Sequence, residues 1–327
     1  MAELFWLGAV DRAEAGEPGE SVAACSALLN VARSIGDEPL IDSQRARSRI
    51  ARLAAHALQW ALSAGGRPPE KGPLDGLGVA LAGEAAHPYL TIALRGERAR
   101  QFDLFGRLAA GPGDPKAGGM PSILRRSSVG PLYEHNSALA LGAMTEAIGL
   151  LGGTSDRRRE AAKAWDDRVR GEQTSSRFGR AAYLVLPPLA GVVAEVDESR
   201  AILAAAANAL AARRFRAARG GWPGSSVDLV PEFLPAPILD PLDGRPIRVA
   251  RFPGGIKLYS IGLDGRDDNG KVAPRSSDDV GFRLWDSPRH GLGEEWAAIF
   301  HVPARFLPGI AGSRGHRSRR PPGGGQE

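Results

Sequence analysis

The residues best suited to chemistry lie near the C-terminus. Asp264, Asp267, Asp268 and Asn269 place three carboxylates and an amide in one short stretch, and Asp278 and Asp279 follow a polar loop later. Hard oxygen donors crowded into a Gly-rich loop suit Ca²⁺. The spacing is not that of an EF-hand, because the sixth position counted from Asp264 is Asn269 rather than Gly. Ca²⁺ ligation by Asp264, Asp267 and Asp268 thus stands against a plainer reading, a solvated acidic turn. The same stretch, Gly265-Arg266-Asp267-Asp268-Asn269-Gly270-Lys271, also fits the G-x-x-x-x-G-K frame of a phosphate-binding loop. That reading fails on chemistry. Val272 offers no hydroxyl for Mg²⁺, two carboxylates inside the loop repel phosphate, and no helix is predicted after it.

Other reactive side chains form no constellation. The histidines are His56, His87, His135, His290, His301 and His316, and none falls at a metal-binding spacing. No Ser sits in a G-x-S-x-G elbow. Cys25 is the one cysteine, so no internal disulfide can form, and its place on an apolar helical stripe predicts a buried, inert thiol. Glu97, flanked by Arg95 and Arg98, reads first as a structural ion pair. Glu97, Arg98 and His135 are also the side chains an enzyme would use if it had a site in a groove of the helical region.

Charge narrows the partners. The pI is near 9.7, yet of 42 basic residues only five are Lys. From Arg305 onward there are five Arg and one Glu, which is +4 of the total +5. The remainder is almost neutral, with no basic stripe to follow a phosphate backbone, so nucleic acid is not the expected partner. Residues 313–327, rich in Gly, Pro and Arg, are expected to be disordered. The longest apolar stretch, 181–194, is too short to span a bilayer and contains Pro187-Pro188; the N-terminus lacks a basic signal region. The chain as given is expected to be soluble, with membrane association only through an upstream anchor.

The elements that must position these residues are mostly helical. Val22, Cys25, Leu28, Leu29, Ala32 and Ile35 recur at helical spacing, with Ser21 as N-cap and Gly36 as stop. A second helix opens at Pro39 and buries Ile50, Leu53, Ala54, Ala57, Leu58, Ala61 and Leu62, making an antiparallel helical hairpin. Further helices are expected over 74–85, from Pro88 to Leu108, over 131–151, over 156–172 with Trp165 as its anchor, and over 197–219. The stretch 111–126 reads as a loop, and 173–188 has no clear period. After Gly221 the composition shifts to Pro, Asp, Gly and aromatic residues. Residues 247–251 and 256–261 alternate like strands, and Pro253-Gly254-Gly255 supplies the hairpin turn. Trp222 and Phe233 are expected to be buried against the Ala-rich helix before them.

The order of features from 201 to 279 resembles the globular part of type II secretion major pseudopilins. An Ala-rich helix ends in Arg219-Gly220-Gly221-Trp222-Pro223. Leu229-Val230-Pro231-Glu232-Phe233-Leu234-Pro235, Asp240-Pro241-Leu242-Asp243-Gly244-Arg245-Pro246 and Tyr259-Ser260-Ile261-Gly262-Leu263-Asp264-Gly265 follow. These are similar to the family's L-V-P-x-Y-L, D-P-W-G-x-P and Y-S-x-G-x-D-G segments, in the same order. The resemblance covers about a quarter of the chain. It implies a loop after the D-G turn that binds calcium and steadies a C-terminal hairpin, with Asp264 and either Asp267 or Asp268 at the matching positions. The family's apolar anchoring helix and processing site are missing from this sequence, so pilus assembly by the family's mechanism is not implied. The whole chain is also similar to uncharacterised bacterial proteins with an anchored N-terminus, a helical body and this tail.

The expectation is therefore a mainly α fold, with an irregular helical-hairpin body over 1–195 and a small α+β pseudopilin-like module with an antiparallel hairpin over 196–290. Residues 291–327 form an extension. The expected function is a non-enzymatic, envelope-associated scaffold or interaction protein that binds an unknown protein partner through its helical body and carries a calcium-stabilised C-terminal module. The rival from another class is an enzyme with its site in the helical groove.

Overall fold

The computed structural model describes residues 2–63, 71–109, 131–176, 178–272 and 279–287. The loop expected over 111–126, the tail over 313–327, Asp278 and His290, His301 and His316 lie outside them. Among the described residues the fold is mainly helical, with a small antiparallel sheet near the C-terminus and no strand before residue 248.

The first helix, α1 (Ala2–Glu14), was not anticipated, although Trp6, Ala9, Val10 and Ala13 are buried at helical spacing. It packs on α2 (Pro18–Ser34) and α3 (Ile41–Ser63). Ser21 is not the N-cap of α2. The helix begins three residues earlier at Pro18, whose fixed φ suits a first turn, and the Ser21 hydroxyl donates to Ala9 O at 2.7 Å, joining α1 to α2. Gly36 takes a left-handed φ of 64° where the chain turns back into α3. Then come α4 (Lys71–Ala86), α5 (Tyr89–Ala109), α6 (Pro131–Gly149), α7 (Ser155–Ser175), the short α8 (Arg180–Leu184) and α9 (Ala190–Arg219). Helix α5 crosses so close to the α2–α3 turn that a Cβ on Gly96 would sit 1.7 Å from Pro39 O.

Helix α9 runs through the middle of the molecule. Every residue from Ala201 to Ala212 is buried, as expected of a helix enclosed on all sides. Its small side chains let α3, α4, α7 and the sheet approach it closely. Its start was expected at Asp197, a residue common at helix N-termini. The helix instead continues back to Ala190, because Asp197 is held mid-helix by a buried arginine from α7.

Strands β1 (Arg248–Phe252), β2 (Gly255–Ser260) and β3 (Val280–Trp285) form an antiparallel sheet in that order. The hairpin between β1 and β2 pairs Phe252 with Gly255, as the turn residues suggested. The third strand was not anticipated; it pairs Ile256 with Leu284 and Leu258 with Phe282, and these four side chains are buried. Trp222 is 7% exposed and Phe233 half-buried, and both join the cluster formed by α9 and the sheet.

Two apolar clusters divide the interior. One joins α1–α4, the C-terminal half of α9 and the sheet. The other joins α5–α8 with the N-terminal end of α9, reaching Val196. Helix α9 leaves the second cluster after Val196 and enters the first at Ile202, and α1–α4 lie in the same cluster as the sheet. No single helix among the described residues is long and apolar enough to cross a membrane. The bent pair Leu74–Ala86 and Tyr89–Leu108, at 48°, matches on length and composition. Its Leu74, Leu77, Leu81, Leu90 and Leu94 are buried inside the two clusters.

Candidate functional site

The acidic loop follows β2 and is tied back to the sheet through Arg248 on β1 and Tyr259 on β2. Asp264 accepts the Arg266 N–H at 3.0 Å, which folds the loop back on itself. Asp267 accepts the Tyr259 hydroxyl at 3.1 Å, Arg248 Nε at 3.0 Å and the Asn269 N–H. Burial, and then Asp267, push the Tyr259 hydroxyl up to about 12. Arg248 also pairs with Asp240 and Asp243, so three carboxylates share one guanidinium. Asp268 is exposed. Asp279 is fully buried and accepts the Gly270 N–H at 2.7 Å through Oδ2; burial raises its pKa above the ordinary carboxylate value. No three His, Cys, Asp or Glu side chains among the described residues converge as a metal-binding group.

Two of the segments that carry the pseudopilin resemblance meet at Asp240. Its fully buried carboxylate accepts the Ser260 hydroxyl at 2.7 Å and the N–H groups of Leu242 and Ile261. Asp240 thereby fixes the Asp240–Gly244 turn against the end of β2, which sets where the acidic loop leaves the sheet.

The groove candidates separate. Glu97 is buried under the start of α3, where Oε1 accepts the Ile41 N–H at 3.4 Å and Oε2 pairs with Arg100. It caps a helix, and its cation is Arg100 rather than Arg95 or Arg98, because only i+3 follows the helix surface to reach it. Arg98 and His135 are both exposed, and no hydrogen bond or ion pair among the described residues joins them to each other or to Glu97. Cys25 is fully buried, and burial pushes its thiol up to about 12.

A polar seam between the two clusters holds the charges that sequence reading passed over. Arg47 on α3 grips Glu84 on α4 with Nη2 at 2.7 Å and Nε at 3.1 Å, and the Tyr89 hydroxyl adds a bond at 2.6 Å. Burial alone would raise the Glu84 pKa, but the bonds from Arg47 and Tyr89 hold it below the ordinary value. His87 stands edge-on to Tyr89, its Nε2 3.4 Å from Asp37 Oδ1 but outside hydrogen-bond geometry; burial and Arg47 hold its pKa down. Across the seam Asp197, 0% exposed, accepts Arg158 Nη2 at 2.6 Å and the Ser155 hydroxyl at 2.5 Å. A cavity of about 150 Å³ opens here, lined by His87, Tyr89, Thr91, Leu151, Arg158 and Arg200 among others. Arg47, Glu84, Arg158, Asp197 and Arg200 all fall within helices expected from the sequence, but no spacing in the sequence pairs them.

No family model, curated protein or solved structure matches the chain.

Proposed function

We propose that the protein is a non-enzymatic scaffold of the cell envelope, in which a pseudopilin-like α+β module caps a helical body that docks a protein partner. The observation that carries this reading is the packing of β1–β3 on the C-terminal half of α9, within the same cluster as α1–α4. A module fused in this way transmits position rigidly, which suits a scaffold. In this reading Ca²⁺ on Asp264, Asp267 and Asp268 stiffens the loop beside the sheet. Partner contact falls on the outer side of the second cluster, where Phe102, Phe178 and Leu184 are exposed. Gln101 Nε2 to Val185 O ties α5 to the end of α8, and Asn136 Nδ2 to Phe178 O ties α6 to the segment before α8, both at 2.7 Å.

The test is a photo-crosslinking residue placed at Phe102 or Phe178 in the native host, with Arg170 as an exposed control. The expected result is one discrete adduct from the first two positions and none from the third, with the protein in the envelope fraction. Equal labelling at all three sites, or protein confined to the soluble fraction, would overturn the reading.

A further inference from the structure

A guanidinium withdrawn from water needs its charge and its N–H donors answered. At the seam two arginines are answered only in part. The Arg158 side chain is 8% exposed; Nη2 meets Asp197, while the buried Nε has no hydrogen-bond partner among the described residues. Arg200, half-buried on the next turn of α9, donates Nε to Ala85 O at 2.7 Å, and no carboxylate among the described residues lies within ion-pair distance of it. Burial holds the Arg200 pKa below its usual value.

Both arginines line the cavity of about 150 Å³. Tyr89, Leu90 and Thr91, the first turn of the 21-residue α5, line it too. The N–H groups of a helix's first turn carry its partial positive charge. The acids nearby are already engaged: Asp197 by Arg158 and Ser155, and Glu84 by Arg47 and Tyr89. The walls thus present donors and positive charge. We infer that this cavity binds a phosphate-sized oxyanion, either free or as the phosphate group of a small metabolite. Arginine forks and helix N-termini both match that chemistry. A volume of roughly 150 Å³ accommodates a benzene-sized molecule, which leaves room for a phosphate and a few attached atoms.

The experiment is isothermal titration calorimetry of the full chain with inorganic phosphate and with glycerol 3-phosphate, against a chloride background of constant ionic strength. Saturable one-to-one binding of either compound is expected. Arg200→Gln should weaken it about 10- to 100-fold, the range for loss of a charged hydrogen bond. Thr91→Glu, which adds a carboxylate at the wall, should weaken it at least as much. Arg168→Gln, which breaks only the exposed pair with Glu146, should leave it unchanged. Tighter binding of inorganic phosphate identifies the free ion, and tighter binding of glycerol phosphate a metabolite. Absence of saturable binding by both, or unchanged affinity in a folded Arg200→Gln or Thr91→Glu variant, overturns the assignment. Envelope location and partner crosslinking do not enter this measurement, so it fails or succeeds separately from the scaffold reading.

Discussion

His56 on α3 ties stability to pH in the range just below neutrality. Burial, reinforced by the nearby Arg52 charge, lowers its pKa from 6.5 to about 3. The unfolded chain therefore binds a proton that the folded protein refuses. Stability should be flat above pH 6.5 on this account and fall as pH drops below it, by about 1.4 kcal/mol per unit from this one group. His87, also lowered, adds to the slope in the same direction, and Glu84 does so only below its ordinary value of 4.5. Urea titrations between pH 7 and 5 should show the slope, and a folded His56→Gln variant should lose roughly that 1.4 kcal/mol per unit. An unchanged slope would refute the assignment. The acidic loop gives a second expectation at this scale. If Asp264 helps hold Ca²⁺, the metal adds about 2.7 kcal/mol at a hundredfold excess over Kd. Millimolar Ca²⁺ should raise the melting temperature, Mg²⁺ should raise it less because it demands tighter octahedral geometry, and Asp264→Ala should remove the effect. Identical melting curves in Ca²⁺ and chelator would leave the loop a solvated turn.

Between elements, single positions fix how closely helices and sheet approach. Trp222 sits over α9 with Arg216 stacked 4.4 Å from its ring centre and donates Nε1 to Asp286 at 2.8 Å. Trp222→Ala removes a large buried side chain and an anchor for the end of β3, so a loss of about 3–5 kcal/mol is expected in chemical denaturation. Stability unchanged within error would mean the ring packs elsewhere. Gly96 is the opposite case, a site where nothing may be added. A Cβ there meets Pro39 O at 1.7 Å, so Gly96→Ala must push α5 off the α2–α3 turn and strain the Glu97 cap on Ile41. Overpacking of this kind costs about 1–3 kcal/mol or more; the alanine's better helix propensity, worth ~1 kcal/mol, offsets only part. A variant more stable than the parent would show that the helices can separate freely. Gln59 shows how α3 holds the sheet: its amide donates to Arg283 O and accepts the Arg283 N–H at 3.0 Å, closing the outer edge of β3.

At the scale of the molecule, α9 belongs to both clusters, and charge pairs brace it along its length. Arg45 and Arg49 on α3 meet Glu195, and Arg52 meets Glu198. A chain cut after residue 195 keeps α1–α8 but loses the buried face from Ala201 to Ala212 against which α3 and α4 pack. Far-UV circular dichroism of this fragment should stay helical, while its urea transition becomes broad and it binds a hydrophobic dye, the signature of lost specific packing. A sharp transition without dye binding would show that 1–195 folds by itself.

The sequence by itself determined the helical class, most helix faces, the β1–β2 turn and the burial of Trp222 on α9. Each depends on information within a few residues: a 3.6-residue apolar period, a glycine able to take positive φ, or a shift from Ala to Pro and aromatic residues. Helix α1 carried that information too, in Trp6, Ala9, Val10 and Ala13, but in only 13 residues. Tertiary structure alone decided what the buried charges do. Arg47 finds Glu84 across 37 positions and Arg158 finds Asp197 across 39. Periodicity says which face of a helix is apolar, yet it cannot say which distant carboxylate a buried arginine will meet. The same reason separates the fates of Glu97 and Arg200. Glu97, read first as a structural ion pair and as a site residue only in the enzyme alternative, pairs with Arg100 and caps α3 because that helix starts above it, whereas Arg200 has no carboxylate within ion-pair distance among the described residues, because the seam's acids are engaged by Arg158, Ser155, Arg47 and Tyr89.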